Sequence, residues 1–482
     1  MRTFLLGVAQ RYGLLLVAAG CLLPFVVLSF RSHPALDDFA FAVATRRMGW
    51  LAFQKYEYLS WQGAYTTNAL MSSLNPLVSG HLDYYWLSPV AVLTILVLGA
   101  WQLSWALLPR GYRSPGVAIL LTLLLVQFPN PAEGLYWLNA AWAYLLSSVA
   151  ALLWGALLVR ISRHPMGWGD LAAMLLTAVL IGTNPVTGAL LTGILLAVLL
   201  GSPASVRRRW LMLTIVAVFC LGFSLASPGN GHRLDAVGTA GAAPLTALSL
   251  LGALLRASVA AAYTVLNWLG SGLLLIPTLL LTPAMARLAI QPDLPLNRLT
   301  RNPWWLTVVA AGLVLAAFVP TYWAIQQPPP PRLRNVIYLL FVVGWLLTVY
   351  AWVAWWVRRN HPLPTLPTYV HGALLLWLPL TFLTDHNARL THIGIGQGRN
   401  AVVQAYRDWL SGDAARYDDA QKARYQLLYS TPRNVDIVLP PLPVRPHTLF
   451  YYDISYNPAL WGNQAYAQFF GKQTVRVQHP LE

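Results

Sequence analysis

The sequence predicts an all-α polytopic membrane protein, and three observations lead there. Its 482 residues are 57% hydrophobic and only 10% charged, outside the usual range of soluble domains. Apolar runs of the roughly 20 residues that a helix needs to cross a bilayer recur along the chain. Lys and Arg fall in every second connection between those runs, the pattern that orients helices in membranes. The net charge of +16 is therefore spread over short loops, where it suits anionic lipid headgroups better than a nucleic-acid face, and no nucleic-acid partner is expected. Cys21 and Cys220 both lie in apolar runs, which leaves neither a disulfide framework nor a Cys-type metal site.

Runs near 5–30, 88–108, 116–129, 140–159, 170–183, 186–201, 210–226, 262–286, 304–320, 335–357 and 367–384 give about eleven spans. The first follows Arg2 and Arg11, is long for a signal peptide and lacks a small-x-small cleavage site, so it reads as an uncleaved helix. Arg2 and Arg11, Arg110 and Arg113, Arg160 and Arg163, Arg207 to Arg209, Arg287, Arg298 and Arg301, and Arg358 and Arg359 mark the cytoplasmic side. That reading puts the N-terminus inside and everything after about His386 outside.

The stretch Leu245 to Ile290 reads as one span preceded by an amphipathic interfacial helix carrying Arg256. The GTNPVTG break near Asn184 and Pro185 has the look of a discontinuous helix. Two domains result: a membrane domain over 1–385 with a long first external loop at 31–88, and a small extracytoplasmic α+β segment over 386–482. In that tail a helix is expected from Asn400 to Tyr429, followed by strand-like pieces NVDIVLPPL and TLFYYDI. Pro328 to Pro331 form a short stiff connector.

Chemistry is sought on the external face. Asp37 and Asp38 follow the first span closely in RSHPALDDFAFAV. Adjacent carboxylates at a membrane surface either share a raised pKa or pair with a cation, and such a group can serve as a general base toward a hydroxyl. The competing reading is a helix cap, because Asp is a good cap before FAFAVATRRM. Trp61, Tyr65 and Asn68 in YEYLSWQGAYTTN join aromatic faces to amides, as sugar binding requires, although Trp and Tyr also serve as interface anchors. Glu133 is the one acid of FPNPAEGLYWLNAAWAY, beside Tyr136, Trp137, Asn139 and Tyr144. The external arginines Arg233, beside Asn230 and His232 in SPGNGHRLD, and Arg332 and Arg334 in PPPPRLRN suit a phosphate clamp or a headgroup contact. The spaced glycines of Gly394–Asn400 lack the Lys-Ser/Thr of a nucleotide loop, and the scattered histidines give no metal-ligand spacing.

Together these motifs resemble the GT-C superfamily of membrane glycosyltransferases, closest to a bacterial multispan family related to O-antigen glucosyltransferases. The likeness rests on Asp37-Asp38-Phe39, Trp61 and Gly63 in W-x-G, Tyr136-Trp137, and Pro228, Gly229, Asn230 and Arg233 in PGN-x-x-R. Where that family is expected to carry Arg after W-x-G, this chain has Ala64, which shifts weight to Arg233, Arg332 and Arg334. The resemblance implies a bacterial inner-membrane enzyme with a periplasmic active face. It would move a sugar from a polyprenyl-phosphate donor to a glycan, lipid or protein acceptor, with inversion. Asp37 and Asp38 would supply the base, Arg233, Arg332 and Arg334 the phosphate clamp, and Trp61, Tyr136 and Trp137 the sugar platform. A divalent cation at Asp37 or Glu133 is compatible with this but not required by the sequence. A lipid or glycolipid flippase and an O-antigen polymerase or ligase are the rival readings.

Overall fold

Leu and Ala dominate the apolar runs, and straight-chain and small side chains lose little freedom in a helix. The computed structural model describes residues 2–237, 247–270, 272–291, 293–362, 367–384 and 400–478. Helix α1 is Arg2–Ser29, and the first external loop then folds into α2 (Asp37–Met48), α3 (Trp50–Ser60) and α4 (Tyr65–Ser73). The membrane region continues with α5 (Leu87–Leu107), α6 (Arg113–Val126), α7 (Leu146–Ile161), α8 (Trp168–Ile181), α9 (Pro185–Gly201) and α10 (Ala204–Leu225). Next come α11 (Pro228–Val237), α12 (Ala247–Gly270), α13 (Leu275–Ala289), α14 (Pro303–Ala324), α15 (Pro331–Arg358) and α16 (Thr368–Thr384). The tail contains α17 (Ala401–Leu410), α18 (Asp413–Ser430), β1 (Asp436–Leu439), α19 (Trp461–Phe470) and β2 (Thr474–Val477).

Among the described residues seven helices are long and apolar enough to cross a membrane: Tyr12–Ser29, Leu82–Leu107, Leu138–Ile161, Ala204–Leu225, Leu248–Gly270, Pro303–Ala324 and Pro331–Arg358. The chain is thus an all-α polytopic membrane protein. The other expected runs form shorter helices, such as α8 with 14 residues and α9 with 17. The break between those two is tightly built. Asn184 caps α9 by accepting from the Thr187 amide at 3.0 Å, Pro185 opens the helix, and Asn184 Nδ2 donates to the Ala143 carbonyl at 2.7 Å.

The expected span over 262–286 is corrected. The helix carrying Arg256 runs on to Gly270, and a new helix begins at Leu275 after Gly272, which sits at φ +75° where glycine is favoured. The two pieces nevertheless run in one direction along α15. Trp323, near the end of α14, donates to Ser249 Oγ at 3.2 Å, and Trp268 packs 5.1 Å from both Tyr338 and Phe341. Further along, Trp345 donates to Thr278 Oγ1 at 3.0 Å and Tyr350 bonds Asn297. Helices α12 and α13 therefore traverse the bundle once, broken midway.

Opposite the first loop, the arginine-bearing connections meet. Arg209 pairs with buried Asp170 and donates to the carbonyls of Ile161 and His164, while Arg163 donates to the Ala106 carbonyl at 2.7 Å. At the other end the tail packs on the first loop within one continuous core, which includes Phe25, Phe39, Tyr136, Tyr417 and Tyr466. Helix α17 is amphipathic and lies along α1, with Tyr406 donating to the Gly20 carbonyl at 2.8 Å. Gly20 is about 13 Å along the helix from Ser29, so the tail reaches well down the length of α1.

The expected helix over 400–429 is divided at Gly412, φ +80°. The segment TLFYYDI is not a strand: β1 pairs in parallel with β2, Ile437 opposite Val475. The side chains of TLFYYDI are committed elsewhere, Tyr451 to a stack on Trp137 and Asp453 to an ion pair with Arg424 at 2.8 Å. The expected boundary at 385–386 and most of the rejected glycine run 394–400 lie outside the described residues.

Candidate functional site

Folding separates the acidic pair. Leu36 stands at φ +43°, a backbone region that bulky residues avoid, and redirects the chain so that α2 starts at Asp37. The tail makes room for it. A Cβ on Gly462 would come within 2.4 Å of Leu36 Cδ2. Asp38 is fully buried and accepts from the Ala35 amide (3.0 Å), the Tyr85 hydroxyl (2.8 Å) and the Asn139 amide (3.0 Å). Burial pushes its carboxyl up to about 7 in spite of those donors. Phe39 enters the tail core, 4.8 Å from Tyr466 and 5.1 Å from Phe469. Asp38 and Phe39 thus fasten the loop, and Asp37 is left facing the site.

Asp37 is partly exposed. Burial raises its pKa above the ordinary value; the charges of Arg332 and Arg233 and a hydrogen bond from the Asn139 side chain oppose that rise. Two arginines distant in sequence therefore act on one carboxylate. Arg332, in the first turn of α15, pairs with Glu133 at 3.4 Å and also donates its backbone amide to that carboxylate at 3.3 Å. Its guanidinium lies 5.6 Å from the Trp137 ring and 5.8 Å from Tyr144. The Glu133 loop is locked to α15 by a reciprocal pair, Asn130 N to Asn335 Oδ1 and Asn335 Nδ2 to Asn130 O, both at 2.8 Å. Burial raises Glu133 also, against the pull of Arg332.

Arg233 is positioned by two close backbone contacts. A Cβ on Gly63 would lie 1.9 Å from the Ser224 carbonyl oxygen, and one on Gly229 would lie 2.4 Å from the Trp61 amide nitrogen. Asn230 Oδ1 accepts from the Gly63 amide at 3.1 Å. The W-x-G and PGN-x-x-R elements are thus the two halves of one contact. It sets Arg233 over the Trp61 ring at 5.5 Å, with Nη1 donating to Gln62 Oε1 at 2.7 Å.

Sequence reasoning missed Glu57. It is 6% exposed, and its Oε2 has no hydrogen-bond partner among the described residues. Burial raises its carboxyl to about 7, with Arg233 lowering and Asp37 raising it. The available signal was a lone acid inside an aromatic stretch, YEYLSW. Tyr451 was missed as well. It stacks on Trp137 at 3.9 Å and 15°, and its hydroxyl, pushed up to about 12 chiefly by burial, feels Arg332, Glu133, Asp37 and Asp38. The Trp137 indole Nε1 is buried without a partner among the described residues.

The structure therefore gathers Asp37, Trp61, Glu133, Trp137, Asn139, Arg233 and Arg332, with Asn230 as a support. Tyr136 instead belongs to the core, 1% exposed, its hydroxyl donating to the Phe25 carbonyl at 2.8 Å. Tyr65 and Asn68 line a separate groove of about 330 Å³ with Tyr58 and Phe223. His232 and Arg334 are exposed, and Arg334 donates to the Pro329 carbonyl at 3.0 Å. Two residues apart on a helix, Arg332 and Arg334 point roughly 200° apart, so one alone faces Asp37.

Among the described residues no three His, Cys, Asp or Glu side chains cluster closely enough to hold a metal ion. No protein-family model and no curated protein matches the chain. The chemistry available is that of a carboxylate with a raised pKa, two guanidinium groups converging on it, and aromatic walls with orphaned polar atoms.

Proposed function

We propose that the protein is a membrane glycosyltransferase that takes a sugar from a polyprenyl-phosphate-linked donor and passes it to a hydroxyl of an extracytoplasmic glycan, lipid or protein acceptor. The observation that carries this reading is the placement of Arg332 beside Glu133 and Trp137 and of Arg233 over Trp61, with both charges acting on Asp37, beside two buried polar atoms, Glu57 Oε2 and Trp137 Nε1, that lack partners among the described residues. Buried polar atoms are ordinarily satisfied, and an orphan beside a charged cluster marks a place where a polar ligand docks.

In the reaction the acceptor oxygen attacks the anomeric carbon while Asp37 takes the hydroxyl proton. The bond from the anomeric carbon to the phosphate oxygen breaks, and its electron pair stays on the departing lipid phosphate. Arg332 and Arg233 hold that developing charge, as guanidinium groups do for phosphate oxygens. Single displacement inverts the anomeric centre. Trp61, with Arg233 above it, offers the sugar an apolar face, and Glu57 offers an acceptor to a sugar hydroxyl. Asp38, with both oxygens engaged, keeps the loop in place. The arginine-rich end of the bundle then faces the cytoplasm and the Asp37 end the periplasm of a bacterial inner membrane.

The test is the profile of cell-envelope glycans and glycolipids, by mass spectrometry, in cells carrying wild type, a deletion, Asp37→Asn or Asp37→Glu at matched expression. Asp37→Asn should reproduce the deletion, and Asp37→Glu should restore part of the product. A wild-type profile with Asp37→Asn would remove Asp37 as base.

A further inference from the structure

Between the helices of the bundle lies a half-open chamber of about 1400 Å³. Leu103, Ile119, Leu152, Leu191, Leu313 and Leu340 are among its aliphatic walls. One end reaches Ser148 and Val336, each one helical turn from a residue of the Asp37 cluster, Tyr144 and Arg332. The other end opens among Arg163, Arg287, Arg298 and Tyr350. Val336 and Tyr350, which both line it, lie on the same helix and are about 21 Å apart along it. The chamber therefore runs through most of a hydrocarbon core of roughly 30 Å.

Its two ends differ in charge balance. At the Asp37 end Arg332 has Glu133 as a partner. At the far end Arg163 and Arg298 repel each other. Asp293 pairs with Arg298 at 3.0 Å, but both side chains are largely exposed, 87% and 70%. Such a pair neutralises little. Arg163 donates to the Ala106 carbonyl, and Arg287 is exposed with no carboxylate partner among the described residues. The mouth thus carries excess positive charge over an apolar interior of molecular size, at a place where the bundle meets headgroups.

We propose that this chamber is a binding site for an anionic diacyl phospholipid from the leaflet opposite Asp37, its tails among the aliphatic walls and its phosphate at Arg163, Arg287 and Arg298. The walls are mostly apolar. Chains of methylenes match them, and basic pockets between helices recognise anionic headgroups. A zwitterionic lipid fills the chamber equally well but leaves the charge uncompensated. The site is independent of the glycosyl-transfer reading, since none of its arginines belongs to the Asp37 cluster.

The experiment is native mass spectrometry of the full chain, delipidated in detergent, titrated with phosphatidylglycerol and with phosphatidylcholine of the same acyl chains. Phosphatidylglycerol should bind more tightly. The double variant Arg163→Gln/Arg298→Gln should weaken it roughly 10- to 30-fold, as expected for two headgroup contacts, and Arg334→Gln, exposed at the opposite end and outside the Asp37 cluster, should leave it unchanged. If the double variant fails to fold, exposed Arg287→Gln alone should weaken binding about threefold to fivefold. Equal affinity for both lipids, or loss on Arg334→Gln with no loss at Arg163, Arg287 and Arg298, would overturn the proposal. The second outcome would give the chamber to a lipid entering from the Asp37 end.

Discussion

Asp37→Ala and Asp38→Ala should behave in opposite ways, although the residues are neighbours. Removing the Asp38 carboxylate strips acceptors from the Ala35 amide, the Asn139 amide and the Tyr85 hydroxyl. Tyr85 has a second acceptor at hand, the Tyr136 carbonyl at 2.9 Å. The two backbone donors have no such substitute. Each buried donor left unmade costs about 1–3 kcal/mol, so Asp38→Ala should lose about 2–6 kcal/mol. In a chain of 482 residues that corresponds to a fall of roughly 2–6 °C in the unfolding midpoint. Asp37, partly exposed and held by a hydrogen bond from the Asn139 side chain, should cost about 1 kcal/mol when truncated. Differential scanning fluorimetry of the purified variants in one detergent, at one scan rate because such unfolding is irreversible, measures both. An Asp38→Ala midpoint within about 1 °C of wild type would refute the latch, as would an equal fall for Asp37→Ala.

Other consequences can be checked with the same material. Glu57 is held near 7 by burial, so between about 4.5 and 7 the folded chain keeps a proton that the unfolded chain releases. Stability is therefore lost as pH rises through that window. Glu57→Gln should remove this contribution, and its midpoint should gain on wild type as the pH goes from 5 to 8; parallel curves would contradict the burial. Gly63→Ala forces a Cβ against the Ser224 carbonyl and should cost about 1–3 kcal/mol together with the product, whereas Gly222→Ala, with nothing within 4 Å, should be neutral in the same thermal and glycan assays. Arg424→Ala breaks a buried pair with Asp453 (2.8 and 3.2 Å) and should cost about 3–5 kcal/mol. Limited proteolysis should then cut within 400–478 while the membrane helices resist, and an unchanged digest would contradict that pair's role.

The polytopic helical character was legible because lipid solvation imposes a coarse, additive signal of apolar length and loop charge. Of the arginines that this signal grouped on one side, Arg163, Arg209 and Arg298 lie near one another in the structure. It could not locate the break at 270–274, because both sides of that break are equally apolar and the turn depends on the conformation of Gly272. In the site, Asp37, Arg233 and Arg332 stood out by being polar at helix ends. Which of Asp37 and Asp38 is latched was invisible, since that depends on Tyr85 and the Asn139 amide arriving from elsewhere in the chain. Glu57 was masked by aromatic neighbours that read as interface anchors. The segment TLFYYDI looked like a strand because its alternation fits one; its fate was decided by tertiary partners, Trp137 and Arg424, that no local pattern encodes.

The proposed reaction requires Arg332 and Arg233 to hold a lipid phosphate while Asp37 removes a proton beside it. Binding of a synthetic short-chain polyprenyl phosphate to the purified protein tests this most directly. Arg332→Ala and Arg233→Ala should each weaken binding about tenfold or more, as loss of a charge-assisted hydrogen bond of about 1.5–3 kcal/mol requires. Asp37→Asn, which removes a negative charge from beside the phosphate, should bind at least as tightly as wild type. Wild-type affinity in both arginine variants, or loss of binding in Asp37→Asn, would contradict the account.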